Sequence, residues 1–225
     1  MKILARGEKI KTDELRLLLS SDVQLDVLDD TDLTAHNLTQ YDLIFDLDFD
    51  SHPHQLKFVA SLPISVVMSS AKLQLADAVK QLGRTPECKL FGMNAIPTFI
   101  HRSLCEVSAY DESQKEHLER VFAKLNLTCS WVEDRVGMVT PRIVFMIINE
   151  ACYTFQEGTA SMQDIDTSMK LGTNYPFGPF EWADKIGIKY VYETLNALYN
   201  DTKDERYKIC PLLKTHYLRD QKFIT

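Results

Sequence analysis

Between Asp164 and Gly187 the chain reads Asp-Ile-Asp-Thr-Ser-Met-Lys-Leu-Gly-Thr-Asn-Tyr-Pro-Phe-Gly-Pro-Phe-Glu-Trp-Ala-Asp-Lys-Ile-Gly. Such crowding of Gly, Pro and aromatic residues leaves the backbone few paths. Pro176 and Pro179 lack the N–H that a helix interior needs, and Gly172, Gly178 and Gly187 are free to take positive φ, so helices are expected on both sides of a rigid corner. Upstream, Ile143, Ile147, Ala151 and Phe155 recur every four residues beside Val144, Ile148 and Cys152. Two adjacent apolar rows of this kind predict a helix over residues 141–158 with a wide apolar face. Ser161 with Asp164 reads as a capping box that opens a short helix, and residues 188–199 as a final amphipathic helix.

The first 134 residues have a different texture. Apolar runs at 2–5, 24–28, 42–49, 64–68, 88–94, 104–109 and 130–132 alternate with helical stretches at 12–20, 54–61, 73–82 and 112–125. That alternation is the signature of an α/β domain with a mainly parallel sheet. Two domains are therefore expected, residues 1–134 and 135–225. A formal charge of −7 without a basic run argues against nucleic acid as a partner. No apolar run approaches the 18 or so residues of a membrane span. Cys88, Cys105, Cys129, Cys152 and Cys210 are an odd number with no C-x-x-C pair, so they read as reduced, buried thiols in a cytoplasmic protein.

The corner at 164–187, together with Asn149-Glu150-Ala151, resembles the C-terminal helical domain of the 3-hydroxyacyl-CoA dehydrogenases, and residues 91–107 are similar to the strand pair that precedes it. The resemblance implies a contracted Rossmann-like parallel sheet followed by an all-α helical domain. It also implies oxidation of a 3-hydroxyacyl-CoA by NAD, and a homodimer formed through the helical domain. Matched without gaps, the family's catalytic His falls at Asn94 and the Glu that orients it at Glu106. The family's substrate-contacting serine falls near Ala71 and Lys72, and a local shift brings it to Ser69 or Ser70. An Asn on the spine helix falls at Pro141.

The chemistry departs from that family at two points. A dinucleotide site needs side-chain-free backbone where the first strand turns into its helix. Gly7 is the only glycine among the first 82 residues, and no G-x-G-x-x-G exists. Asn94 cannot take up a proton near neutral pH, so a general-base contribution of about 10²- to 10⁴-fold would be missing. His101 reads as a surface or capping residue. Asp46, Asp48 and Asp50 alternate along what reads as one strand face; the reading preferred for them is an acidic strand end rather than a metal site. The expectation is a family member impaired in NAD binding and catalysis, with no bound cofactor or metal, that keeps a scaffold for acyl-CoA or for a subunit. The alternatives are an active NAD-dependent dehydrogenase of fatty acid metabolism and a non-catalytic dimerisation subunit.

Overall fold

A computed structural model describes residues 1–29, 32–33 and 37–224. The chain divides into two compact units, Met1–Met138 and Val139–Thr225. The first is built on a seven-stranded sheet: β1 (Lys2–Arg6), β2 (Gln24–Leu28), β3 (Leu43–Asp46), β4 (Ser65–Ser69), β5 (Lys89–Met93), β6 (Leu104–Ala109) and β7 (Thr128–Trp131). Its order is β2-β1-β3-β4-β5-β6-β7, and every pairing is parallel except β5 with β6.

The central strands read as unbroken apolar runs because both sheet faces are covered. Ile3, Ala5, Leu43, Phe45, Val67 and Phe91 point to one side, against Leu15 of α1 (Lys9–Leu18) and Leu118 and Phe122 of α4 (Lys115–Ala123). Leu4, Ile44, Val66, Met68 and Leu90 point to the other, against Leu56 and Val59 of α2 (Leu56–Val59) and Leu75, Ala78 and Val79 of α3 (Leu75–Leu82). The seven expected strands are all present, with one substantive change. The strand expected over 42–49 ends at Asp46. The Asp48 N–H there turns back to Asp46 Oδ1 at 3.3 Å, and the N–H groups of Ser51 and His52 fold onto the Asp48 carbonyl. An aspartate that bonds backbone two residues on favours a turn over continued pairing, so Asp46, Asp48 and Asp50 do not share a strand face.

The second unit contains α5 (Thr140–Gln156), α6 (Met162–Thr173), α7 (Pro179–Ile186), α8 (Ile188–Thr202) and α9 (Pro211–Arg219). Helix α5 packs against α6, α7, α8 and α9. Its buried amide Asn149 holds the approach to α9: Nδ2 donates to the Lys208 carbonyl and Oδ1 accepts from the Cys210 N–H, both at 2.9 Å. The wide apolar face of α5 is divided. Val144, Ile148 and Cys152 are buried, whereas Ile143 is 57% exposed and Ile147 is half-buried. Helix α8 is not the final one, since α9 follows it.

The corner is set by one carboxylate. Asp166, buried on α6, accepts the N–H groups of Phe180 at 2.9 Å and Glu181 at 3.0 Å, capping α7 from outside its own segment. Gly178 precedes α7 in extended conformation, and a Cβ there would collide with the Asp166 carboxyl group. The glycine is thus required by close approach, not by positive φ. Gly172 lies within α6, and Asn174 supplies the left-handed residue that ends it, while Gly187 takes φ +100° between α7 and α8. Ser161 caps α6 through the Asp164 N–H at 3.1 Å.

Asp166→Ala removes the cap and leaves the buried Phe180 N–H and the partly buried Glu181 N–H unpaired, and should lower stability by about 1–3 kcal/mol in denaturant titrations. Gly178→Ala should cost more in the wild-type background than in Asp166→Ala, because the colliding group is then gone.

Candidate functional site

Chain order reverses between β1 and β3. Strand β2 lies on the far side of β1, and β4 and its successors on the far side of β3. In an open α/β sheet the crevice beyond the carboxyl ends of two such strands is where a dinucleotide binds, its diphosphate on the N-terminus of the following helix. Here two buried ion pairs stand at that point. Arg6, the last residue of β1, is 1% exposed and places Nη1 2.8 Å from Oδ1 of Asp46, the last residue of β3. Lys11, on the inward face of α1, is 3% exposed; its Nζ donates to Asp48 Oδ1 at 2.7 Å and to the Leu47 carbonyl at 2.8 Å.

The other Asp48 oxygen, Oδ2, accepts the Glu8 N–H at 2.5 Å, immediately before α1. A helix N-terminus attracts anions through its free N–H groups and its dipole. The anion at the start of α1 is the chain's own carboxylate. Gly7 allows this approach, since a Cβ there would lie 3.0 Å from the Leu47 Cβ. Burial raises the Asp46 carboxyl to about 6, against the pull of the Arg6 guanidinium.

A second group of residues collects at the carboxyl ends of β4 and β5 and on β6. Asn94, 4% exposed just past β5, donates from Nδ2 to Glu106 Oε2 at 3.4 Å, and its Oδ1 accepts the Ile96 N–H at 3.3 Å. The Asn94 N–H also bonds the Glu106 carbonyl at 3.0 Å across the antiparallel pair. The two residues matched through the family resemblance are therefore neighbours. Ser69 donates to Asp50 Oδ2 at 2.9 Å, and the Ser70 N–H bonds the Met93 carbonyl at 3.1 Å. The Ser70 side chain packs on Gly92 beside Ser108, so it faces the sheet interior.

The other sequence candidates lie elsewhere or are engaged. His101 is exposed and meets Glu14 Oε2 at 3.1 Å, away from Asn94. Each of the three aspartates has its own partner: Arg6 for Asp46, Lys11 for Asp48, and Ser69 and Lys72 for Asp50. They do not converge as an oxygen cage, and no group of three potential metal ligands occurs among the described residues. Burial raises the thiols of Cys88 and Cys105 to about 11 and of Cys129 to about 12, which keeps them protonated and unreactive. Sequence reasoning missed Arg6 and Lys11. The available signal was that Lys11 shares a helix face with Leu15, one turn on, where a cation must find a partner.

Comparison with known proteins fits this geometry to a family. The model of the 3-hydroxyacyl-CoA dehydrogenase C-terminal domain matches residues 137–222. The 3-hydroxybutyryl-CoA dehydrogenase of Bradyrhizobium diazoefficiens is 30% identical over 209 residues, covering 92% of this chain and 69% of that protein. The chain belongs to the 3-hydroxyacyl-CoA dehydrogenase family. Within that family, the 3-hydroxyadipyl-CoA dehydrogenase of Escherichia coli is 42% identical over 92 residues, 41% of this chain and 19% of that protein. The probable 3-hydroxybutyryl-CoA dehydrogenase of Bacillus subtilis is 33% identical, and this chain covers 43% of it. In fold, the crystal structure of (S)-3-hydroxybutyryl-CoA dehydrogenase from Ralstonia eutropha superposes with a TM-score of 0.75 at 18% identity, over 97% of this chain and 94% of that one.

Asp46 gives this arrangement a pH signature. Its folded value of about 6 exceeds the ordinary 3.8, so the folded state holds this proton more tightly than the unfolded chain does. The group's contribution to stability is full below 3.8 and fades as pH rises through 6. Carboxyl carbon NMR should show one resonance titrating near 6 that disappears in Asp46→Asn.

Proposed function

We propose that this family member does not hold NAD or transfer hydride, and that it keeps the family scaffold to bind an acyl-CoA and a second copy of itself. The observation that carries this reading is the Asp48 carboxylate on the Glu8 N–H. A dinucleotide phosphate would need that N–H, and it would meet a negative charge fixed by Lys11 in a site with no second glycine. Displacing Asp48 would also take from the buried Lys11 ammonium the carboxylate it is paired with, at a cost of about 3–5 kcal/mol. The nicotinamide cofactor therefore fits this crevice poorly, and no reaction step is assigned to it.

The acyl-CoA side of the reading rests on the other edge. Ser69 at the end of β4, Asn94 just past β5 and Glu106 on β6 lie on adjoining strands, whereas Ser70 is turned to the sheet interior, and Asn94 with Glu106 can donate to and accept from a bound thioester or an ordered water. Neither supplies the base that hydride transfer from a hydroxyl needs. Pairing with a second copy is suggested by the open row on α5. Ile143 and Ile147 border a groove of about 870 Å³, with Met146, Ala151 and Met169 also lining it. An apolar surface of this kind, edged by Arg142 and Glu150, is the sort that oligomers bury. No helix among the described residues is long and apolar enough to cross a membrane, and we place the protein in the cytoplasm.

A second reading, an active NAD-dependent dehydrogenase of fatty acid metabolism, draws on Asp29. It follows β2 directly, 22 residues after Gly7, where such folds place the acid that binds the adenosine ribose. The two readings separate with NADH, acetoacetyl-CoA and the Asn94→His variant. On the leading reading, acetoacetyl-CoA raises the melting temperature, NADH does not, and neither wild type nor Asn94→His oxidises NADH above the no-enzyme rate. On the second, NADH binds and the restored imidazole beside Glu106 raises turnover by about 10²- to 10⁴-fold.

For the assembly, sedimentation should give a dimer for the wild type. Ile147→Asp should shift it to monomer without changing its far-ultraviolet circular dichroism.

A further inference from the structure

The edge of the sheet opposite the family's cofactor crevice carries a second cavity. It lies where β4 and β5 begin, has a volume of about 470 Å³, and is bordered by Ser65, Lys89, His117, Val121 and Lys124. Ser65 opens β4 and is buried, and its Oγ shares a hydrogen bond of 2.8 Å with Nε2 of His117 on α4. Lys89 opens β5, and Lys124 directly follows α4.

The charge around this cavity is unbalanced in a way unusual for the molecule. The chain carries a net charge of −7. Other lysines and arginines are paired with carboxylates, as Lys2 is with Asp26, Lys115 with Glu112, and Arg120 with Glu116. Among the described residues neither Lys89 nor Lys124 has a carboxylate within ion-pair distance, although both lie close enough to His117 to act on it. The one carboxylate at the rim, Asp42, accepts the Lys2 backbone N–H at 2.8 Å. Burial, and then Lys89, Arg120 and Lys124, hold the His117 imidazole below its ordinary value, so it is neutral near pH 7. Asp42 keeps its charge in its bond to the Lys2 N–H, so the two lysines of the lining outnumber its one carboxylate, and a further anion placed among them relieves their repulsion.

We propose that this cavity is a binding site for a phosphomonoester, with Lys89 and Lys124 as its cations and the Ser65–His117 pair as its polar floor. Two ammonium groups suit a phosphate dianion better than a single carboxylate, since lysine recognises phosphate as a point charge. The cavity is larger than a phosphate group, and Pro63, Ile64 and Val121 give it an apolar wall for a small organic substituent. The site is independent of the NAD question, because it lies at the amino ends of the strands.

The test follows the His117 imidazole by NMR, assigned with His117→Gln, during titration with inorganic phosphate and, separately, glycerol 3-phosphate. The expected result is a saturable shift with a Kd of about 1 mM or tighter, and at least a tenfold loss of affinity in the Lys89→Ala/Lys124→Ala double variant, roughly the worth of one charge-assisted contact. The bound anion should also raise the His117 pKa, because its negative charge opposes the field of Lys89, Arg120 and Lys124; Arg120 is already paired with Glu116 and Asp42 already lends the rim one negative charge, and the anion adds to both. Tighter binding of glycerol 3-phosphate assigns the site to an organic ester, and equal binding to free phosphate. No saturable shift with either probe up to about 20 mM, or an affinity loss below about threefold in a folded double variant, overturns the proposal.

Discussion

One carboxylate organises the cofactor end of this sheet. Asp48 accepts the N–H at the start of α1 with one oxygen and the Lys11 ammonium with the other, 2.5 and 2.7 Å away. The turn at Gly7, the burial of Lys11 and the early end of β3 all follow from bringing Leu47 and Asp48 against that helix start. Arg6 and Asp46 complete the arrangement one residue back on each strand. Buried ion pairs are a poor source of net stability, because desolvation consumes most of the attraction. Their value here is positional: breaking either leaves a charge in the core, so the β3 end is held where it lies.

The consequence is an asymmetry between the two edges of one site. At the switch point the anion-attracting features of a dinucleotide fold persist, but they are satisfied internally. Beyond β5, Asn94 and Glu106 face each other across adjoining strands. On the proposed reading, an amide in place of a base would by itself leave a slow enzyme, and a filled phosphate position would by itself leave a base without an oxidant. The proposed binding scaffold rests on the two features together.

Much of the fold was legible in the sequence because buried parallel strands advertise themselves as apolar runs, and all seven were found. The capping pair Ser161 and Asp164 and the helix after Pro141 were equally plain. Local rules failed where a partner lies far along the chain. The charged types of Arg6 and Lys11 suggest solvent, and only Asp46 and Asp48, some forty residues on, make them core residues. The same distance hid the role of Gly178, which depends on Asp166 and not on its own φ. The end of β3 was missed because alternating Asp and apolar residues mimic a strand while Asp46 folds the backbone into a turn. Helix α9 was missed because only Leu213 along it is fully buried, so its apolar period is weak. Asn94 and Glu106 were paired through the family resemblance alone, and the antiparallel β5–β6 pair brings their side chains together.

The central claim concerns the Glu8 amide, and that amide can be watched directly. In a ¹⁵N-edited NMR titration of the wild-type chain with NADH, the account predicts that the Glu8 resonance stays where Asp48 holds it, up to millimolar nucleotide. A saturable shift of that resonance, together with faster hydrogen exchange or a moved Asp48 carboxyl carbon, would mean that a dinucleotide displaces the carboxylate, and the account would be wrong.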